Sequence, residues 1–219
     1  MILAATGLRR EARILSGPGV AVVAGGGDHA RLEAVLERLA PGARGIISIG
    51  IGGALAPGLQ PGDWVVADAV LAGTEALPTD AAWADRLCAA LAAARRGVIL
   101  GSDLMVVEVV EKAALHRATG ALAVDMESHV AARVARHYHL PFATARVISD
   151  AADRSLPPAA RAGMRPDGGM DLPAVLRSLL AYPLQLPALI RTGMEAERAF
   201  RSLLRGHRAL DPGLAGSLG

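Results

Sequence analysis

The chain has 219 residues, of which 52% are apolar, 20% charged and only 3% aromatic, and its formal net charge is +2. That length suits one large α/β domain or two small ones and needs no covalent staples to hold a core, and the charge content excludes general disorder. One cysteine, Cys88, excludes a disulfide framework and a Cys-rich zinc site, and the small charge and scarce aromatics argue against nucleic-acid binding. The core must come from Ala, Val, Leu and Ile. Lys112 is the only lysine among 23 Lys and Arg residues, which reads as compositional bias. Met1–Thr6 is apolar, but Arg9, Arg10, Glu11 and Arg13 follow at once, the reverse of a secretory signal. No stretch of ~18 residues lacks both charges and prolines, so a spanning helix is not expected. A soluble cytoplasmic protein is the expectation.

The predicted elements alternate. Ile2–Thr6 reads as a strand, Leu8–Leu15 as a short helix and Val20–Ala24 as a second strand. Gly25-Gly26-Gly27 reads as a turn, with Asp28 capping a helix over Ala30–Leu39 whose apolar face carries Leu32, Val35, Leu36 and Leu39. Ile46–Ile51 is a strand flanked by glycine, and Asp63–Leu71 a longer one after the Pro61-Gly62 turn. A helix over Ala81–Ala94, a strand over Val98–Ser102, a helix over Val109–Arg117 and a brief strand Leu122–Val124 follow. A helix over Glu127–His137 leads to the strand Phe142–Ser149. Residues 154–171, rich in Pro, Gly and Arg, read as a loop. Residues 172–208 read as helical, broken by Pro173, Pro183 and Pro187. This order predicts one α/β domain with a central mixed, twisted sheet flanked by helices.

Four clusters carry chemistry. Gly7-Leu8-Arg9-Arg10-Glu11 follows the first strand, where ligands of open α/β sheets collect; Arg9 and Arg10 suit a phosphate or carboxylate, and Glu11 suits a water or simply a helix N-terminus. Ser48-Ile49-Gly50-Ile51-Gly52-Gly53 brings backbone close to a ligand or makes a tight turn; it fails the dinucleotide fingerprint, as does Gly25-Gly26-Gly27. Asp125-Met126-Glu127-Ser128 places two carboxylates at a helix start, where capping accounts for at least one. Arg146 to Asp153 ends a buried strand on Ser149 and Asp150, a position for a site or a cap. The six histidines show no ligand spacing, and no metal is expected.

The DMES motif, followed about twenty residues later by PF-x-x-x-R-V-I-S-D-x-A-D, resembles the nucleoside phosphorylase and nucleosidase superfamily. The early glutamate, the glycine turn and LAPGLQPGDWVVAD belong to the same pattern, which covers about residues 1–153. A narrower resemblance, to the hopanoid-associated phosphorylases, is carried by TGLRREARI, GGGDHARL, TGALAVDMESHVAARVA, RVISDAADRSLPPAA, MRPDGGMDLPAVLRSL and LPALIRT. It implies release of adenine from adenosylhopane in hopanoid biosynthesis. The in-class alternatives are a methylthioadenosine/adenosylhomocysteine nucleosidase or a general purine nucleoside phosphorylase; outside the class stands a non-catalytic nucleoside-binding protein.

The resemblance implies a role for each matching residue. Asp150 matches the acid at purine N7, and Ser149 the residue that orients it. Glu127 matches the glutamate on the ribose 2′- and 3′-hydroxyls, and Met126 the methionine on the sugar face. Glu11 matches the water-positioning glutamate. Gly50 and Ile51 fall in the substrate-binding glycine turn, with Ile51 where those relatives carry a small hydroxyl residue; Met105, beside Leu104, falls where they stack an aromatic on the base. Acid catalysis at N7 is worth ~10²–10⁴-fold. It requires Asp150 to hold a proton near neutral pH, which burial and nearby carboxylates favour. Phosphorolysis, with phosphate as co-substrate on Arg9 and Arg10, and hydrolysis through Glu11 both remain open; no other cofactor is implied. The resemblance further implies a homo-oligomer, a dimer foremost. The apolar span 172–190, followed by five arginines and two glutamates in 191–208, fits peripheral membrane contact, a packed helix or a subunit interface.

Overall fold

A computed structural model of the chain describes residues 1–91, 93–162, 168, 169, 171–210 and 214. The elements in order are β1 (Ile2–Thr6), α1 (Arg9–Leu15), β2 (Val20–Ala24), α2 (His29–Leu39), β3 (Gly45–Ala54), β4 (Trp64–Ala72), β5 (Glu75–Pro78) and α3 (Ala81–Ala90). They continue with β6 (Arg95–Gly101), α4 (Val109–Thr119), β7 (Ala123–Asp125), α5 (Ser128–His137), β8 (Phe142–Asp150), α6 (Pro158–Ala162), α7 (Leu172–Ala181) and α8 (Leu186–Ala209). The strands form one mixed sheet flanked by helices, the expected α/β class. β2, β1 and β3 are parallel neighbours. β3 then pairs with β8, β8 with β4, β4 with β6, β6 with β7, and β7 returns to β3. Five strands thus close a ring, and β1, β2 and β5 extend it.

The ring explains why the glycine run is not the expected turn. Gly50, Gly52 and Gly53 lie inside β3, hydrogen-bonded along β8 through the register Gly50↔Arg146 and Gly53↔Asp150. Gly53 also faces Val124 of β7, so the ring closes at that residue. A register shift between Gly52 and Gly53 marks the bend.

Other expectations shift for equally local reasons. β5 was absent from the predicted elements; the two-residue connection Gly73-Thr74 folds it back on β4, with Gly73 at φ +67°. α3 stops at Ala90 and β6 starts at Arg95 because β4 pairs with it from Val65↔Arg95 onward. The 154–171 stretch is not all loop, since Pro158–Ala162 is a helical turn; the expectation for 163–167 and 170 lies outside the described residues. Pro173 and Pro187 do not break helices. Each occupies a first turn, where a missing N–H costs nothing. Only Pro183 sits in the break between α7 and α8.

Apolar side chains pack on both sides of the sheet. One cluster joins Ile47, Ile49 and Val147 to Trp64, Trp83 and Leu87, and to Ala199 and Leu203 of α8. The other joins Leu3, Ala5 and Ile46 to Leu32 and Leu36 of α2 and Val130 and Val134 of α5. Small aliphatics dominate, as composition required, but both tryptophans are buried too. α8 is divided: Ala199, Phe200, Leu203 and Gly206 are buried, while Leu186, Ile190 and Met194 in its first half are exposed. Leu203→Ala should therefore lower unfolding stability in urea by about 2–4 kcal/mol. Leu184→Ala, in the break before α8, should change it by less than ~0.5 kcal/mol. Equal losses would show that the arm packs as core.

Candidate active site

The cleft lies where the ring closes. The ends of β1, β3, β7 and β8 meet there, and the lining includes Gly7, Glu11, Gly53, Met105, Met126, Glu127, Ser149 and Asp150. Its cavity volume is about 150 Å³. Four carboxylates converge on it, each held by a local device.

Glu11 stands in the first turn of α1 and is buried. Its Oε2 accepts the Leu8 N–H at 2.6 Å and its Oε1 the Ile51 N–H at 2.6 Å. The helix N-terminus and β3 thus grip one carboxyl between them, and each oxygen keeps a second lone pair. Gly50 makes this possible: a Cβ there would lie 2.5 Å from Glu11 Oε1. Gly50 therefore faces Glu11 rather than lining the cleft, whereas Ile51 does line it, with its N–H on Glu11 and its side chain partly packed on the core. Burial pushes the Glu11 carboxyl above its usual range, against the pull of those N–H groups.

Asp125 and Glu127 divide the two jobs that the DMES motif left open. Asp125 Oδ1 accepts the Glu127 and Ser128 N–H groups at 3.0 and 2.8 Å, capping α5. Its Oδ2 lies 2.7 Å from Nε of Arg146, an ion-pair contact without an aligned hydrogen bond. Arg146 is fully buried in β8; it also donates to Ser48 Oγ at 2.6 Å and to the Ala145 carbonyl at 3.0 Å. Glu127 is left facing the cleft, 3.8 Å from the same guanidinium. Burial first, then the charge of Asp125, push its carboxyl up to about 8; Arg146 pulls the other way and Glu11 adds to the rise. A Cβ on Gly7 would lie 2.8 Å from Glu127 Oε1, so that glycine too is required by close approach.

Asp150 ends β8. Ser149 Oγ lies 2.7 Å from its Oδ1 and 3.1 Å from the Gly52 carbonyl. The expected carboxylate neighbour is not what touches it. Nζ of Lys112 donates to Asp150 Oδ2 at 2.5 Å, from a side chain with no exposed surface. The sequence reading missed both Lys112 and Arg146. Lys112 was legible only as a compositional oddity, and Arg146 only as one letter of a motif.

The remaining predicted residues separate. Met126, Met105 and Leu104 line the cleft. Arg9 and Arg10 do not: both are exposed, and Arg10 pairs with Glu197 at 2.8 Å and lies over the Phe200 ring, committed to α8. Among the described residues the cleft lining carries no cation. Outside it, three residues distant in sequence do meet. His29, Asp103 and His129 bring ligand atoms within 4.8 Å of one another, donor types that a divalent cation takes. Asp103 Oδ1 there already lies 2.9 Å from His129 Nε2.

A family profile described as the Phosphorylase superfamily matches residues 14–181. The chain belongs to that superfamily. Its fold is shared with solved structures. The 5′-methylthioadenosine/S-adenosylhomocysteine nucleosidase of Helicobacter pylori superposes with a TM-score of 0.66 at 18% identity, covering 95% of this chain and 94% of that one. The futalosine hydrolase of H. pylori superposes at 0.62 and 18% identity, covering 95% and 97%. The nucleosidase of S. pneumoniae, solved with a transition-state inhibitor, superposes at 0.62 and 18%, covering 96% and 99%. No curated protein sequence matches at a significant level.

The Glu127 environment fixes a pH dependence. Its folded carboxyl keeps a proton up to about pH 8, whereas the unfolded one releases it near 4.5. Between those values the folded state binds more protons, so stability falls as pH rises. Glu127→Gln removes that loss. Its melting temperature relative to wild type should climb steadily from pH 5 to pH 8 in differential scanning calorimetry; a flat difference would mean that Glu127 is ionised throughout.

Proposed function

We propose that the chain hydrolyses a purine N-ribosidic bond, releasing adenine from adenosylhopane in hopanoid biosynthesis. One observation carries the reading of the reaction: Glu11, Glu127 and Asp150 converge on a single cleft with no cation among its described lining residues. Cleavage of the bond builds positive charge on the sugar and negative charge on the departing purine. Glu127 places its carboxyl beside the sugar and, once ionised above about pH 8, stabilises the developing cation. It also offers two oxygens to the ribose hydroxyls, with Met126 against the sugar face. Asp150, oriented by Ser149, delivers the proton to N7. Glu11 holds the attacking water through its free lone pairs. A phosphate dianion would find no cation among the described lining residues, which favours water as the nucleophile. The names of the structural neighbours, nucleosidase and hydrolase, agree with that choice.

The substrate's 5′ side is addressed by surface chemistry. Leu104 lines the cleft although it is 77% exposed. Leu156 belongs both to the cleft and to a groove that reaches Val107, Pro158 and Ser178 of α7. From there α7 and α8 form an elbow bent by 115°. Leu176, Leu180, Tyr182, Leu184, Ile190 and Met194 are exposed on it, with Leu184 at 95%. No single helix is long and apolar enough to cross a membrane. Between residues 172 and 194 there is no acidic residue, while Arg177 and Arg191 are basic. An apolar strip with cations and no anions matches an anionic lipid surface. A triterpene-bearing nucleoside would be presented by such a surface.

The test is adenine release from adenosylhopane in vesicles, with and without phosphate, beside methylthioadenosine and adenosine. Phosphate-independent release is expected, and Asp150→Asn should slow it by ~10²–10⁴-fold without unfolding the protein. Release that needs phosphate would overturn hydrolysis. Cleavage of methylthioadenosine alone would keep the reaction and remove the hopanoid. Sedimentation with anionic phospholipid vesicles should be lost in the double variant Leu180→Glu, Leu184→Glu. Vesicle-independent self-association lost in the same variant would assign the elbow to a second copy of the chain.

A further inference from the structure

We infer that Lys112 is a positioning residue for the cleavage step and the source of the proton that Asp150 hands to the purine. The inference rests on the reading of Asp150 as the N7 acid. Lys112 lies on α4, outside every motif of the superfamily pattern. Its side chain has no exposed surface. All three of its N–H donors are used: on Asp150 Oδ2 at 2.5 Å, on the Arg154 carbonyl at 2.8 Å and on the Ala151 carbonyl at 3.1 Å. Two of those acceptors belong to the segment that follows Asp150, so the ammonium fixes both the carboxylate and the chain behind it.

Three considerations make this more than a structural pin. Burying an ion pair seldom stabilises a fold relative to packed apolar groups, because desolvation offsets the attraction. The chain writes every other basic side chain as arginine and keeps lysine here alone. Arginine holds a charge but cannot surrender its proton, whereas a buried lysine can. Lys112 therefore places beside Asp150 a compact, deprotonatable cation that arginine would not supply.

The step balances. As the C1′–N9 bond breaks, its electron pair passes to the purine. Asp150 starts as the carboxylate paired with Lys112; Nζ–H passes a proton to Oδ2, and Asp150 transfers that proton to N7. Lys112 ends as a neutral amine and Asp150 as a carboxylate; the water that adds to C1′ releases a proton, and one proton returns through solvent to the amine after adenine leaves. Other charged groups face the pair from outside this exchange. Glu108 is bonded to Ser155, Asp153 lies 3.6 Å from Arg154 at the surface, and Glu11, Asp125 and Glu127 stand across the cleft.

Three proteins test it: wild type, Lys112→Arg, and Lys112→Cys in a Cys88→Ser background alkylated to S-aminoethylcysteine, a lysine analogue of lower basicity. Adenine release is followed against pH in each, with melting temperature as the folding control. Lys112→Arg should remain folded and lose at least ~100-fold in kcat. The aminoethylated protein should regain turnover with the alkaline limb of its kcat profile moved to lower pH, a displacement that a packing role does not produce. Turnover by Lys112→Arg within threefold of wild type, or a rescued enzyme whose alkaline limb has not moved, would overturn the inference. Absence of adenine release from wild type would instead overturn the proposed reaction.

Discussion

Among the described residues four buried carboxyls share one cleft, and two buried cations stand behind them. Glu11, Asp125, Glu127 and Asp150 are each 7% exposed or less, as are Arg146 and Lys112. Charges at that depth must be paired or neutralised. Arg146 serves Asp125, and Lys112 serves Asp150. The two carboxyls in excess, Glu11 and Glu127, are those pushed above the ordinary range by burial. Glu127 therefore holds, up to about pH 8, a proton that the unfolded chain would release.

The backbone is arranged around that cluster. β3 runs ten residues and carries glycine where a side chain would collide with a carboxyl, as Gly50 does against Glu11. Closing the ring at Gly53 brings β7 and β8 together, and with them Asp125 and Asp150. The helix termini finish the work: α1 presents the Leu8 N–H to Glu11, and the start of α5 presents two N–H groups to Asp125. Stability elsewhere comes from aliphatic packing on both faces of the sheet.

Much of this was legible in the sequence because it is local. Strand and helix alternation, the capping of α2 by Asp28 and the gathering of acids at strand ends each depend on a few neighbouring residues. What escaped depends on distance along the chain. β3 looked like a strand ending in a turn because its glycines are explained only by residues distant in sequence: Gly50 by Glu11, Gly52 by Val124 and Gly53 by Asp150. Lys112 meets Asp150 across thirty-eight positions, and nothing within α4 marks it. Arg10 sits beside Glu11 in sequence, yet helical geometry turns the glutamate inward and the arginine toward Glu197 and Phe200 of α8. A motif of charged residues at a strand end thus named the right region without saying which charges face it.

That separation of Arg10 from Glu11 bears on the chemistry. A phosphorolytic site must attract a dianion, and the attraction has to come from cations that line the pocket. Here the cations stand behind the carboxyls: Arg146 faces Asp125 and Glu127, Lys112 faces Asp150, and no described lining residue offers a cation to a dianion. A nucleophile without charge suits such a surface, and so does a sugar that becomes positive as its bond lengthens. The same pairing of Asp125 with Arg146 and of Asp150 with Lys112 that lets the fold tolerate these buried acids keeps both cations behind the cleft, which is the arrangement that the proposed reaction would use.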